Sequence, residues 1–122
     1  LDKENIQRAV LAGHSMGGFG TMRIGQKYPD VFSSIYMLSP GVIKLYDPFN
    51  PKDAVKWEAI KTMEDFEKTD FWTKVIFAVA AAWSPNPDNP PFYFDLPVKN
   101  GENQMNIQAK WIANSPLAAL DQ

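Results

Sequence analysis

The residues with the clearest capacity for chemistry are Gly13-His14-Ser15-Met16-Gly17, which fit the pattern Gly-x-Ser-x-Gly. That spacing suits a serine held at a sharp turn between a strand and a helix, where its hydroxyl is exposed to attack a carbonyl. The turn forces the serine into a strained backbone conformation, so the positions two before and two after it must be small, and Gly13 and Gly17 meet that demand. Gly18 and Gly20 would let the new helix lie close to the sheet. A helix starting here aims its first amides at the hydroxyl, and the Met16 amide is placed to donate to a tetrahedral oxyanion. Phosphate-binding loops are excluded, because no lysine follows in the order G-x-x-x-x-G-K-[ST] and no glycines from Gly13 onward fit G-x-G-x-x-G.

A serine nucleophile needs a base within hydrogen-bond reach and an acid to orient that base. The chain has one histidine, His14, and none after Ser15. Neighbouring side chains diverge at a sharp turn, so His14 is expected to have a structural role beside the serine and not the role of base. Four acids can be nominated as the third group, and each has a simpler use. Asp70 reads as a helix cap, Asp88 as a turn residue, Asp95 as an exposed loop charge and Asp121 as a helix or chain-end residue.

The elements that would position Ser15 are legible around it. Ala9-Val10-Leu11-Ala12, within Ile6 to Ala12, reads as a short buried strand ended by Gly13. Met16 to Tyr28 has helical length, with Phe19, Met22 and Gly25 or Gln26 at three-to-four spacing and Pro29-Asp30 as the stop. Ser33 to Leu38 is a second strand ended by Ser39-Pro40-Gly41, which completes a βαβ unit of a parallel sheet. After Gly41 aromatic residues become dense and prolines divide the chain. Asn50-Pro51 opens a helix through Trp57 and Ile60, Thr62 and Asp65 repeat the capping pattern, and Thr69 or Asp70 caps a helix from Phe71 to Trp83. That helix is apolar nearly all round and is expected to be buried on more than one side. Ser84 to Pro91 reads as a loop, Tyr93 to Leu96 as a short extended segment and Lys99 to Asn103 as a polar turn. A helix follows around Met105, Ala109 and Ile112, and Ser115-Pro116 opens another.

Composition bounds the function. The 122 residues are 45% apolar, enough for one core, and 12 basic against 14 acidic residues give a net charge of -2, with no basic excess for nucleic acid. Cysteine is absent, which removes disulfides, thiolate metal sites and cysteine nucleophiles. The longest apolar run, Val75 to Trp83, is too short to span a bilayer. The chain begins with Leu1 and shows no signal peptide, which leaves localisation open.

Gly-His-Ser-Met-Gly-Gly-Phe-Gly at 13–20, Lys27-Tyr28-Pro29-Asp30-Val31-Phe32 and Leu38-Ser39-Pro40-Gly41 resemble the putative esterase family of α/β-hydrolases, and Asp2-Lys3-Glu4-Asn5-Ile6 resembles the turn before its serine-bearing strand. The family includes esterase D-type S-formylglutathione hydrolases, feruloyl and acetyl-xylan esterases, enterochelin esterases and mycolyltransferases. The likeness is specific over residues 2–41 and loose beyond, although Asn114-Ser115-Pro116-Leu117 resembles the segment preceding the next sheet strand. It implies a partial α/β-hydrolase fold. Residues 1–41 would form the core piece with the nucleophile elbow, 42–113 a helical, aromatic-rich lid and 114–122 the return to the core. It also implies Ser15 as the acyl-accepting nucleophile and Met16 as backbone oxyanion donor. Trp72 and Trp83 are the lid residues expected against substrate, a small-molecule or carbohydrate-linked ester, with no cofactor and no metal. Acyl transfer by the same serine and a non-catalytic module retaining the elbow are the alternatives. Family likeness alone tilts localisation toward the outside of the cytoplasm. With no histidine after Ser15, the chain is expected to be the middle of a longer enzyme, inactive alone and prone to self-association through faces left uncovered.

Overall fold

Strands β1 (Val10–His14) and β2 (Ser34–Leu38) pair in parallel, in the register Val10 with Ser34 through His14 with Leu38. Helix α1 (Met16–Lys27) connects them, so a βαβ unit forms as the alternation of apolar periods requires. This is a computed structural model, and it describes residues 9–41 and 51–121. The chain divides into two compact units, one of Leu1–Leu45 with Ser115–Gln122 and one of Tyr46–Asn114.

In the first unit β1 extends two residues beyond the expected strand, because ladder pairing continues through Gly13 and His14 to the end of β2. The expected start at Ile6 lies outside the described residues. Alternation along the strands puts Leu11, Gly13, Ile35 and Met37 on one face and Val10, Ala12, His14, Ser34, Tyr36 and Leu38 on the other. α1 covers the first face, burying Gly18, Thr21 and Met22. Gly25 lets α1 lie close on β2: a Cβ there would stand 2.7 Å from Ile35 Cγ2. The second face keeps Val10, Tyr36 and Leu38 exposed. Gln26 Nε2 donates to the Pro116 carbonyl at 2.9 Å, tying α1 to the 115–121 segment, which closes in a 3-10 turn at Ala118–Asp121.

The second unit contains α2 (Pro51–Glu58), α3 (Met63–Glu67), α4 (Phe71–Trp83), the hairpin β3 (Val98–Lys99) and β4 (Glu102–Asn103), and α5 (Met105–Asn114). The proposed cap of α2, Asn50, lies outside the described residues. Thr62 and Asp65 form a reciprocal capping box at the start of α3. Asp70, and not Thr69, caps α4, accepting from the Thr73 amide at 3.1 Å and the Thr73 hydroxyl at 2.7 Å. α4 is less enclosed than its composition suggests. Thr73, Phe77 and Ala80 make one buried stripe, while Phe71 and Trp72 are each 70% exposed and Ala78, Ala81 and Ala82 also face outward. Alanine tolerates that exposure and favours the helix, which is why an apolar run does not require burial all round. The core of the unit stacks Phe66, Phe77, Phe92 and Phe94 with ring centroids 5.3–6.1 Å apart. Trp111 is fully buried and its indole donates to Ser84 Oγ at 3.0 Å.

The Lys56 ammonium bonded to Asp70, together with the Thr73 hydroxyl and amide, holds the Asp70 carboxyl well below the ordinary carboxylate range. A depressed folded-state pKa stabilises above the unfolded value and loses that effect as pH falls through the folded value. Thermal unfolding of Asp70→Asn against the unsubstituted protein should therefore show its full gap at neutral pH, closing on acidification below about pH 4. A gap unchanged by acid would contradict this role for the charge.

Candidate active site

The parallel pairing of β1 and β2 brings their C-terminal ends side by side, and the two turns that follow, at Ser15 and at Ser39-Pro40-Gly41, face one another. Open parallel sheets place their ligand sites at this end of the strands. Ser15 has φ 54° and ψ -116°, a conformation that side chains rarely adopt. Four backbone hydrogen bonds hold it there. Its N–H donates to the Leu38 carbonyl at 2.9 Å, and its carbonyl accepts from Gly18 at 3.0 Å, Phe19 at 3.3 Å and Gly41 at 3.0 Å.

Ser15 stands at the N-cap of α1, where serine ordinarily spends its hydroxyl on a helix amide. Here the side chain makes no cap hydrogen bond. The strained backbone turns the residue out of capping geometry, and Ser15 is exposed together with Met16, which is 78% exposed. Met16 is the first helical residue, so its amide belongs to the initial set without an intrahelical acceptor. The arrangement can present a hydroxyl beside an amide and a helix N-terminus, which suits attack on a carbonyl and stabilisation of the resulting oxyanion.

The glycines divide unexpectedly. A Cβ on Gly13 would lie 2.1 Å from the Gly17 carbonyl oxygen, 2.4 Å from its carbon and 2.6 Å from Thr21 Oγ1, so this position excludes any side chain. A Cβ on Gly18 would meet Pro40 at 2.9 Å. Gly17 and Gly20, expected to be needed for clearance, have nothing within 4 Å of where a Cβ would stand. The tight approach is therefore between the strand end and the carbonyl side of the first helical turn, with Pro40 packed on Gly18.

Among the residues singled out from sequence, Ser15 and Met16 adjoin in this turn, and His14 lies at the end of β1 on the face turned away from α1. Asp88 lies in a turn and donates its amide to Asn86 Oδ1 at 3.0 Å. Asp95 is not a free loop charge: its carboxylate accepts from Asn86 Nδ2 and Asn89 Nδ2, each at 3.0 Å, and so pins the 84–95 loop. Asp121 falls in the 3-10 turn. Trp72 is exposed and meets Phe71 edge-on at 5.4 Å. Trp83 packs edge-on against Trp111 at 5.5 Å, a core contact of its own unit. In the sequence Ser39-Pro40-Gly41 reads only as a strand terminator. The signal for its place at Ser15 is the parallel pairing itself, which must set the residue after β2 beside the residue after β1.

Among the described residues no group of His, Asp and Glu could hold a metal ion, and no helix is long and apolar enough to cross a membrane. No curated protein resembles the chain significantly. A family model described as putative esterase matches residues 2–115, which takes in the Ser15 turn, β1, β2 and all of the second unit. The chain therefore belongs to the putative esterase family, a family of ester hydrolases with small-molecule substrates.

Proposed function

We propose that the protein is a serine-dependent carboxylic ester hydrolase acylated on Ser15. The observation that carries this reading is the strained, non-capping Ser15 at the strand-to-helix turn of a chain in an esterase family. Ser15 Oγ attacks the ester carbonyl carbon while its proton passes to a base. The Met16 amide donates to the oxyanion, and the carbonyl re-forms as the alcohol leaves with the proton. Water then attacks the acyl-enzyme with the same base taking its proton, which releases the acid and restores the Ser15 hydroxyl.

The base is not assigned to His14. It is the chain's one histidine, and alternation along β1 sends it to the face away from α1. α/β-hydrolases supply the triad in the order serine, acid, histidine. We assign the base and its acid to residues outside these 122, since no histidine follows Ser15. In this reading the turn is a nucleophile elbow and residues 42–113 are a lid. Trp72, exposed beside Phe71, and Trp83, packed edge-on against Trp111, are kept as the substrate-side candidates of the lid.

Pre-steady-state hydrolysis of p-nitrophenyl acetate by the intact protein tests the reading. A burst of about one equivalent of p-nitrophenol followed by slower turnover is expected for an acyl-enzyme. Turnover that leaves no acylated Ser15 in rapidly quenched protein, with or without a burst, would contradict it. Added alcohols that divert the acyl group into new esters would mark acyl transfer by the same serine.

A further inference from the structure

The 46–114 unit contains a cavity of about 470 Å³, within the size range of small-molecule sites, whose lining belongs entirely to that unit. Its apolar wall is aromatic: Trp57, Phe77 and Phe94 are buried to 7% exposure or less, and Phe92 meets Phe77 edge-on at 5.3 Å. Four charged side chains also line it, and they differ in how they are satisfied. The Glu58 carboxylate accepts from the amides of Asn100 and Gly101, and the Asp95 carboxylate accepts from Asn86 and Asn89. Both acids are thus turned to N–H groups of the protein. Lys61 and Lys99 have no acidic partner among the described residues, although Lys56 and Lys68 elsewhere in the unit do.

A cavity with aromatic walls and two lysines whose side chains pair with no acid among the described residues suits an anionic aromatic ligand. We propose that this cavity binds a planar aromatic monoanion, its ring against Phe92 and Phe94 and its carboxylate or other anionic group held by Lys61 and Lys99. The ring gains edge-to-face and stacking contacts, and the anion accepts charge-assisted hydrogen bonds from the Lys61 and Lys99 ammonium groups. The site does not depend on the assignment of Ser15.

Calorimetric titration with 2-naphthoate and with its neutral isostere 2-naphthamide tests the proposal on the intact protein. Lysine at these exposed positions can be changed without disturbing the core, so the double variant Lys61→Gln, Lys99→Gln keeps the fold, checked by its unchanged unfolding temperature. The expected result is saturable one-to-one binding of naphthoate about tenfold tighter than naphthamide, with that preference abolished in the double variant and naphthamide affinity unaltered. Ser15→Ala should bind naphthoate as the unsubstituted protein does. Absence of saturable naphthoate binding at millimolar concentration, equal affinity for the two probes, or an anion preference that survives in the double variant would overturn it. Loss of binding in Ser15→Ala would place the probe at the other site and overturn it equally.

Discussion

Ser15→Ala is expected to lower ester hydrolysis by the intact protein by about four to six orders of magnitude in kcat, leaving only what oxyanion stabilisation and binding achieve without a nucleophile. The size follows from what the hydroxyl does in the account: it forms the covalent bond, and no neighbouring hydroxyl is held in the same strained turn. The same change should barely affect stability. The side chain caps nothing, the four hydrogen bonds at Ser15 are all made by its backbone, and alanine bears the same positive φ at similar strain. Steady-state kinetics beside denaturant unfolding check both halves. A variant that loses activity together with several kcal/mol of stability would show that Ser15 is a structural residue.

Gly13→Val is expected to have the largest effect on folding, a loss of more than about 3 kcal/mol in the unit that holds Ser15. Even the first carbon of a side chain there would meet backbone on the helix, 2.1 Å from the Gly17 carbonyl oxygen. A flexible side chain can yield, but a carbonyl fixed by the first turn of α1 cannot without shifting the turn that holds Ser15. Gly20→Ala is the matched control. With nothing within 4 Å, the added methyl meets no obstacle and should stabilise α1 by about 0.5–1 kcal/mol. Hydrogen exchange of the α1 amides, read beside global unfolding, distinguishes the two. Equal tolerance at both positions would mean that the close approach at Gly13 is not part of the turn.

The local geometry of the Ser15 turn was legible because it obeys short-range rules. Two short apolar strands, a helix ended by Pro29-Asp30 and a pattern of glycines around one serine leave little choice of arrangement. Which glycine is indispensable was not legible, since clearance depends on where Pro40 and Thr21 come to rest, and those contacts are tertiary. The same limit applies to Asp95. Read along the chain it is a charge in a loop, but the loop folds back so that Pro85 and Phe94 pair and Asn86 and Asn89 meet the carboxylate. The caps at Thr62 and Asp70 were readable because each partner lies three residues away. The partial exposure of α4 was not, because apolar composition specifies what can be buried and not what the rest of the unit covers.

The central claim, that Ser15 is the residue acylated in catalysis, is tested most directly by covalent labelling. The intact protein is treated with a fluorophosphonate, digested with trypsin and mapped by mass spectrometry. Cleavage after Arg8 and Arg23 isolates a peptide in which Ser15 is the one serine, with Thr21 the one other side-chain hydroxyl. A single stoichiometric adduct is expected on that peptide, localised to Ser15 by fragmentation and formed in step with loss of esterase activity. Loss of activity with the adduct on a different residue, or full activity with Ser15 modified, would contradict it.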